Sequence, residues 1–306
     1  MNTEYHLPVL LEESIQGLDI KKGGIYVDVT FGGGGHSSLI LKKLGDDGQL
    51  IGFDQDADAL QNSIEDNRLK IQPHNFRYLK RYLRLDGIRQ VDGILADLGV
   101  SSFQINTPER GFSFRFDADL DMRMDRNVKK DAAHIINKYR ADDLQKVFGE
   151  YGEVRNARSL AQAIVEARKM SPIKTTSKFL DVIGPWIRGD RNRYLAQVFQ
   201  ALRIEVNDEM DALEDFFKDA IDVLAPGGRL VVISYHSLED RMAKNFMKTG
   251  NAEGKVEKDF YGNINRPLKI ITKKPIYPSE DELAKNTRAR SAKMRIAEKK
   301  ENVEQQ

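Results

Sequence analysis

Between Gly24 and Val100, short β-branched apolar runs alternate with stretches whose apolar residues recur at helical spacing. That rhythm belongs to β-α-β units around a parallel sheet. It predicts strands over Ile25–Val29, Gln49–Phe53, Leu69–Gln72 and Gly93–Ala96, with helices over Ser37–Leu44 and Ala57–Ile64. A near-continuous apolar run such as Ile94-Leu95-Ala96 suits a strand covered by helices on both faces.

After Val100 the strand signal stops. A loop rich in Phe, Asp and Arg, 111–125, leads into helical periodicity over Ala132–Tyr139, Ala141–Phe148, Asn156–Lys169, Thr176–Ile187 and Arg193–Ile204. A long helix is then predicted over Asn207–Leu224, capped by Asn207 and closed by Pro226-Gly227-Gly228, before a strand over Arg229–Tyr235. Leu268–Thr272 and Ala292–Ile296 alternate as an edge pair would. The expected organisation is a discontinuous α/β domain, 1–104 with 206–298, an all-helical insertion over 105–205, and a disordered tail over 299–306.

Composition narrows the class. With 306 residues, 40% of them apolar, the chain can bury a sizeable core. Its mean hydropathy of -0.53 and short apolar runs leave no stretch near the roughly 20 residues that a membrane span needs. The N-terminus lacks a basic start followed by an apolar run, so no secretory signal is read and the cytoplasm is the expected compartment. No cysteine is present and the five histidines are scattered, so no metal site is expected. The net charge is only +1, yet 266–300 carries eleven Lys/Arg against four Asp/Glu. That segment suits either phosphate contact or an ordinary solvated surface.

The sharpest local feature is Asp28-Val29-Thr30-Phe31-Gly32-Gly33-Gly34-Gly35-His36, placed where the first strand should turn into a helix. Glycines let a ligand approach the backbone closely, and the helix start offers free N–H groups. Asp54 follows Gly34 by twenty residues and should end the second strand, where a carboxylate holds ribose hydroxyls. A dinucleotide fingerprint would require a third glycine where Ser37 stands. That gap counts against a nicotinamide-dependent oxidoreductase; Asp28 with the spaced glycines instead resembles the cofactor loop of class I methyltransferases, while a purely structural turn stays open. Asp97, ending the fourth strand, lies where ligands of doubly wound folds collect, although capping the following turn would also explain it.

Blocks spread over nearly the whole length share one resemblance. They include His6-Leu7-Pro8-Val9-Leu10-Leu11, Gly34-Gly35-His36, Asp92-Gly93-Ile94-Leu95-Ala96-Asp97-Leu98-Gly99-Val100-Ser101-Ser102, Glu109-Arg110-Gly111-Phe112-Ser113-Phe114 and Leu120-Asp121-Met122-Arg123-Met124-Asp125. Further blocks are Phe199-Gln200-Ala201-Leu202-Arg203, Ala225-Pro226-Gly227-Gly228-Arg229-Leu230, His236-Ser237-Leu238-Glu239-Asp240-Arg241 and Arg288-Ala289-Arg290-Ser291. In order and spacing the chain resembles the bacterial 16S ribosomal RNA cytosine-N4 methyltransferases of the MraW (RsmH) type. The resemblance implies a class I, Rossmann-like S-adenosylmethionine-dependent methyltransferase sheet with an inserted all-helical domain that binds substrate. It also implies cofactor contacts at Gly34, Gly35, His36, Asp54, Phe76, Asp97 and Gln104, and a cytosine amine in the decoding centre as the methyl acceptor. The partner would be 16S rRNA or the small subunit, with a homodimer left open. A catalytically silent ribosome-assembly factor is the alternative outside enzymes. Thr287 and Tyr235 depart from the proline and phenylalanine usual at those places in the family.

The absence of cysteine closes methylation at carbon 5 of a pyrimidine, which needs a thiolate to attack the ring first. Methylation of an amine or hydroxyl remains. Asp97 and nearby carbonyls are the candidate acceptors for the amine hydrogens, and His236 either binds the base, relays a proton or makes a structural hydrogen bond. Phe112, Phe114 and Tyr235 are candidates to stack the base. Arg288, Arg290, Lys293 and Arg295, with Arg155, Arg158, Arg188, Arg191 and Arg193, are candidates for phosphate contact.

Overall fold

The computed structural model describes residues 8–59, 64–256, 258 and 266–301. Along the chain run α1 (Leu11–Leu18), β1 (Ile25–Asp28), α2 (Gly35–Lys43), β2 (Gln49–Phe53), β3 (Leu69–Gln72), α3 (Leu79–Leu85) and β4 (Val91–Asp97). Six helices follow: α4 (Ser102–Asn106), α5 (Ala132–Lys138), α6 (Ala141–Lys146), α7 (Ala157–Met170), α8 (Thr176–Ile183) and α9 (Arg191–Val206). The chain closes with α10 (Glu209–Val223), β5 (Leu224–Ser234), α11 (Ser237–Thr249), β6 (Leu268–Ile270), α12 (Glu280–Lys285) and β7 (Lys293–Lys299). It separates into two compact units, 1–99 with 211–306, and 100–210. No helix among the described residues is long and apolar enough to cross a membrane.

In the first unit the seven strands lie in the order β3-β2-β1-β4-β5-β7-β6. Strands β1 to β5 pair in parallel, and β7 runs antiparallel to both β5 and β6. This is a class I, Rossmann-like methyltransferase sheet. The chain builds outward from β1 through β2 to β3, then crosses to β4 on the other side, so the carboxyl ends of β1 and β4 flank the switch point where such sheets hold ligands. Tyr26, Val27, Ile94, Leu95 and Ala96 are fully buried, as strands covered on both faces require. A core of Leu18, Ile40, Leu50, Leu95, Val231, Ile233 and Met294 lies on one side of the sheet with α1 and α2.

The second unit has its own core around Ile135, Phe148, Leu160, Phe179, Val198 and Phe199. After α6 the chain widens into one π-type turn, Val147–Tyr151. Gly152 follows, and a Cβ there would come within 2.7 Å of the Gln197 carbonyl oxygen. Asp131, Thr175 and Asp190 cap α5, α8 and α9 through their side-chain oxygens.

Several expectations need correction. Asn207 does not open α10. It closes α9, its N–H bonding back to the Arg203 carbonyl, while its amide donates to Met122 and Arg203 carbonyls and accepts from the Met124 N–H. The residue type suits either end of a helix junction, and the loop at 122–124 decides between them. Residues 57–59 form a turn, and 60–63 of the expected Ala57–Ile64 helix lie outside the described residues, as do His6, Leu7 and 302–306. Strand β7 runs through Lys299, and the Lys300 N–H bonds to the Pro267 carbonyl, so 299–300 are ordered by pairing with the β6 segment. Pro226-Gly227-Gly228 does not precede β5 but forms a bulge within it, between the Val91–Leu224 and Gly93–Arg229 pairs.

Candidate active site at the carboxyl edge of the sheet

The glycine turn joins β1 to α2. Gly34 takes the left-handed conformation (φ 73°) that opens α2, and its N–H donates to the Phe31 carbonyl at 2.8 Å. Asp28, ending β1, is 1% exposed and accepts from the Ser37 hydroxyl at 2.7 Å and the Thr30 N–H at 3.1 Å. Burial pushes its proton affinity up. Ser37 thus occupies the place of the missing third glycine with a donor aimed at Asp28. From the end of β2, Asp54 reaches the turn: its two carboxylate oxygens accept the N–H groups of Gly32 and Asp56, each at 2.9 Å. Burial lifts Asp54 to about 6 against the pull of these two donors, with the charges of Asp56 and Asp28 adding to the rise.

At the end of β4 the Asp97 N–H donates to the Thr30 hydroxyl oxygen at 2.7 Å, locking the turn to the neighbouring strand. Asp97 Oδ1 accepts the Tyr235 hydroxyl at 2.7 Å, and Oδ2 lies 3.9 Å from His36 Nδ1. His36 is buried, with Nε2 3.1 Å from the Val9 carbonyl oxygen. Nε2 must donate there, which leaves Nδ1 on the Asp97 side. Burial raises Asp97 to about 6, opposed by His36 and the Tyr235 hydroxyl and reinforced by Asp28 and Glu239.

Phe76 sits in a single 3-10 turn after β3 and meets Phe216 edge to face at 5.5 Å. Its neighbour Arg77 pins that turn to α10 through Asp215 at 2.7 Å. The structure therefore gathers Gly34, Gly35, His36, Asp54, Phe76 and Asp97 at one edge of the sheet. Gln104 belongs to the other compact unit. It is buried and closes a capping box at the start of α4, its Oε1 accepting the Ser101 N–H at 3.0 Å.

His236 caps α11, its Nδ1 accepting the Glu239 N–H at 3.4 Å and its Nε2 lying 3.0 Å from Glu239 Oε1. The buried Glu239 accepts through Oε2 the N–H groups of Tyr235 and His236, at 2.7 and 3.2 Å. Glu239 escaped the sequence reading, although Glu three residues after a cap is the capping-box signal. Among the aromatic candidates, Phe114 packs edge to face on Phe199 at 5.4 Å, Arg110 lies over the ring of Phe112, and the Tyr235 hydroxyl is taken by Asp97. Arg155, Arg158, Arg188, Arg191, Arg193 and Arg290 are exposed. Arg295 instead binds Asp240 through two nitrogens, at 2.7 and 3.2 Å.

The model of the MraW methylase family matches residues 3–300. Ribosomal RNA small subunit methyltransferase H of Flavobacterium johnsoniae is 56% identical over 97% of this chain and 98% of its own length. The protein of the same name from Parabacteroides distasonis is 56% identical over 96% and 97%. Among solved structures, an rRNA methylase from Streptococcus thermophilus aligns at a TM-score of 0.42 and 11% identity, covering 96% of this chain and 98% of that one. That relation is too distant to bear on the fold, which the strand order establishes by itself.

Proposed function

The chain belongs to the MraW methylase family, and from that membership we propose that it transfers a methyl group from S-adenosylmethionine to the exocyclic N4 amine of a cytosine in small-subunit ribosomal RNA. The observation that carries this reading is Asp97: one carboxylate oxygen is held by Tyr235 and the other accepts no hydrogen bond from any described residue.

The cofactor fits the glycine turn. A Cβ on Gly33 would meet no heavy atom of the described residues within 4 Å, and its φ is not positive, so among the described residues neither conformation nor packing calls for glycine there. Room for a ligand against the backbone, beside the N-terminus of α2, is the remaining reason. Asp54 would take the ribose hydroxyls, Phe76 and Asp97 would border the base, and Gly34, Gly35 and His36 complete the proposed contacts within this unit. When bound, S-adenosylmethionine supplies a methyl group on a positively charged sulfur. The carboxylates of Asp28, Asp54 and Asp97 favour a cation at this edge.

The amine lone pair of cytosine is delocalised into the ring, so the amine is a weak nucleophile until an acceptor draws on its hydrogens. Asp97 Oδ2 is that acceptor, and it takes the proton the nitrogen sheds once the new N–C bond has formed. The remaining work is in-line positioning. His236, with both ring nitrogens facing Glu239, holds the corner between β5 and α11. The helical unit 100–210, with exposed Arg155, Arg158, Arg188, Arg191 and Arg193, would contact RNA phosphates, and the cytoplasm is where such a substrate is met.

Calorimetry with S-adenosylmethionine and with NAD, followed by transfer of labelled methyl to 16S RNA and to small subunits and digestion to nucleosides, tests the reading. Cofactor binding and N4-methylcytidine are expected. Retention of NAD alone, or label on another base, overturns it.

A further inference from the structure

Tyr235 is the residue at this edge that the chemistry above does not use. It follows the last residue of β5, and β5 pairs with β4 so that Ile233 stands opposite Asp97. Its backbone is held by the buried Glu239 carboxylate at 2.7 Å. Its ring lies against Gly99, where a Cβ would approach Tyr235 Cδ2 to 3.3 Å and φ is +102°. Ring and backbone are both fixed, so the 2.7 Å bond from the hydroxyl to Asp97 Oδ1 has a set direction. Burial and the charge of Asp97 hold the phenol proton well beyond the ordinary tyrosine range. Tyr235 can therefore donate but cannot serve as a base near neutral pH.

We propose that Tyr235 is a positioning residue for methyl transfer: its hydroxyl occupies Oδ1 of Asp97 and so presents Oδ2 alone to the substrate amine. This rests on the assignment of Asp97 as the amine's acceptor. A carboxylate free to rotate offers two equivalent oxygens, whereas one anchored through Oδ1 offers a single oxygen in a single direction. The bond also favours the ionised form of Asp97, the form that can accept a proton. The other titratable groups facing Asp97 are His36 from α2, Asp28 from β1 and Glu239 from α11. Of these, only the His36 ring joins Tyr235 in favouring ionisation, and its nearest approach is 3.9 Å.

The test is Tyr235→Phe, which removes one oxygen and leaves no donor without a partner on the ring. S-adenosylmethionine affinity at pH 8, by calorimetry, should stay within about twofold, while kcat falls on the order of tenfold because the acceptor is no longer aimed. The acid limb of the kcat profile should move up by about one pH unit as the carboxylate loses a donor. Selective 13C labelling of aspartate carboxyls, with Asp97→Asn to assign the resonance, should show the same rise without any turnover. Replacing Tyr235 with 3-fluorotyrosine, a stronger donor, should move limb and titration the opposite way. An unchanged titration and unchanged kcat in Tyr235→Phe would overturn the proposal. Full turnover in Asp97→Asn would instead sink the assignment of Asp97, whatever Tyr235 does.

Discussion

Gly35 lies so close to Pro8 that a Cβ built on it would stand 2.2 Å from the proline Cγ, whereas the same construction on Gly33, two residues earlier, meets no described residue within 4 Å. Gly35 thus has a packing role, beside its proposed cofactor contact, that Gly33 lacks among the described residues. Gly35→Ala should push Pro8 away and lower stability by about 1–3 kcal/mol, the usual cost of overpacking. Gly33→Ala should melt at the wild-type temperature yet lose at least about tenfold in affinity for S-adenosylmethionine. Thermal denaturation and calorimetry on both variants check this, and wild-type binding by Gly33→Ala would remove the cofactor from the turn.

Stability should fall as pH rises from about 4 to about 6. Asp97 and Asp54 are each lifted by burial from an ordinary value of 3.8 to about 6, so the folded chain binds these protons more tightly than the unfolded one. Stability from this source is fully present below the unfolded value and lost through the folded one. A tenfold gain in proton affinity on folding is worth about 1.4 kcal/mol. Asp97→Asn keeps an oxygen for the Tyr235 hydroxyl but carries no charge, so it should melt higher than wild type at pH 8 and show no advantage near pH 4. Melting curves across that range decide the point, and turnover should be lost throughout.

The cap on α11 separates structure from chemistry at His236. Because Nδ1 accepts the Glu239 N–H, His236→Ala should cost about 1 kcal/mol, and His236→Asn, which restores an acceptor at the cap, should recover it. Turnover at saturating cofactor should follow the cap and return in the asparagine variant. A stable asparagine variant without turnover would place the imidazole in the reaction.

Exposed and paired arginines should behave differently toward RNA. Arg191→Ala and Arg290→Ala should weaken RNA binding across sequences and reduce the salt slope by about one per lost phosphate contact. Arg295→Ala leaves Asp240 only the longer Lys293 contact at 3.8 Å and should lower the melting temperature with a smaller effect on RNA affinity. Filter binding at several salt concentrations, alongside melting curves, distinguishes the two.

The strands at Gln49–Phe53 and Leu69–Gln72, the glycine turn and the placement of Asp54 and Asp97 at strand ends were all legible in the chain, because each is encoded within a few neighbouring residues. Hydrophobic period sets the element, turn chemistry ends it, and a strand's last residue falls at the sheet edge wherever the strand lies. The compact units break at 99/100 and 210/211, against expected boundaries at 104/105 and 205/206, since periodicity marks where helices run but not where chain contacts divide. What only the tertiary structure decided are relations between residues far apart in sequence. The bond from Tyr235 to Asp97 spans 138 positions and exists because β4 and β5 pair in one register. Asn207 closes one helix instead of opening the next because a loop more than eighty residues earlier bonds to it. Local sequence carries propensity, whereas which donor meets which acceptor depends on strand order and register, and these emerge only when the whole core packs.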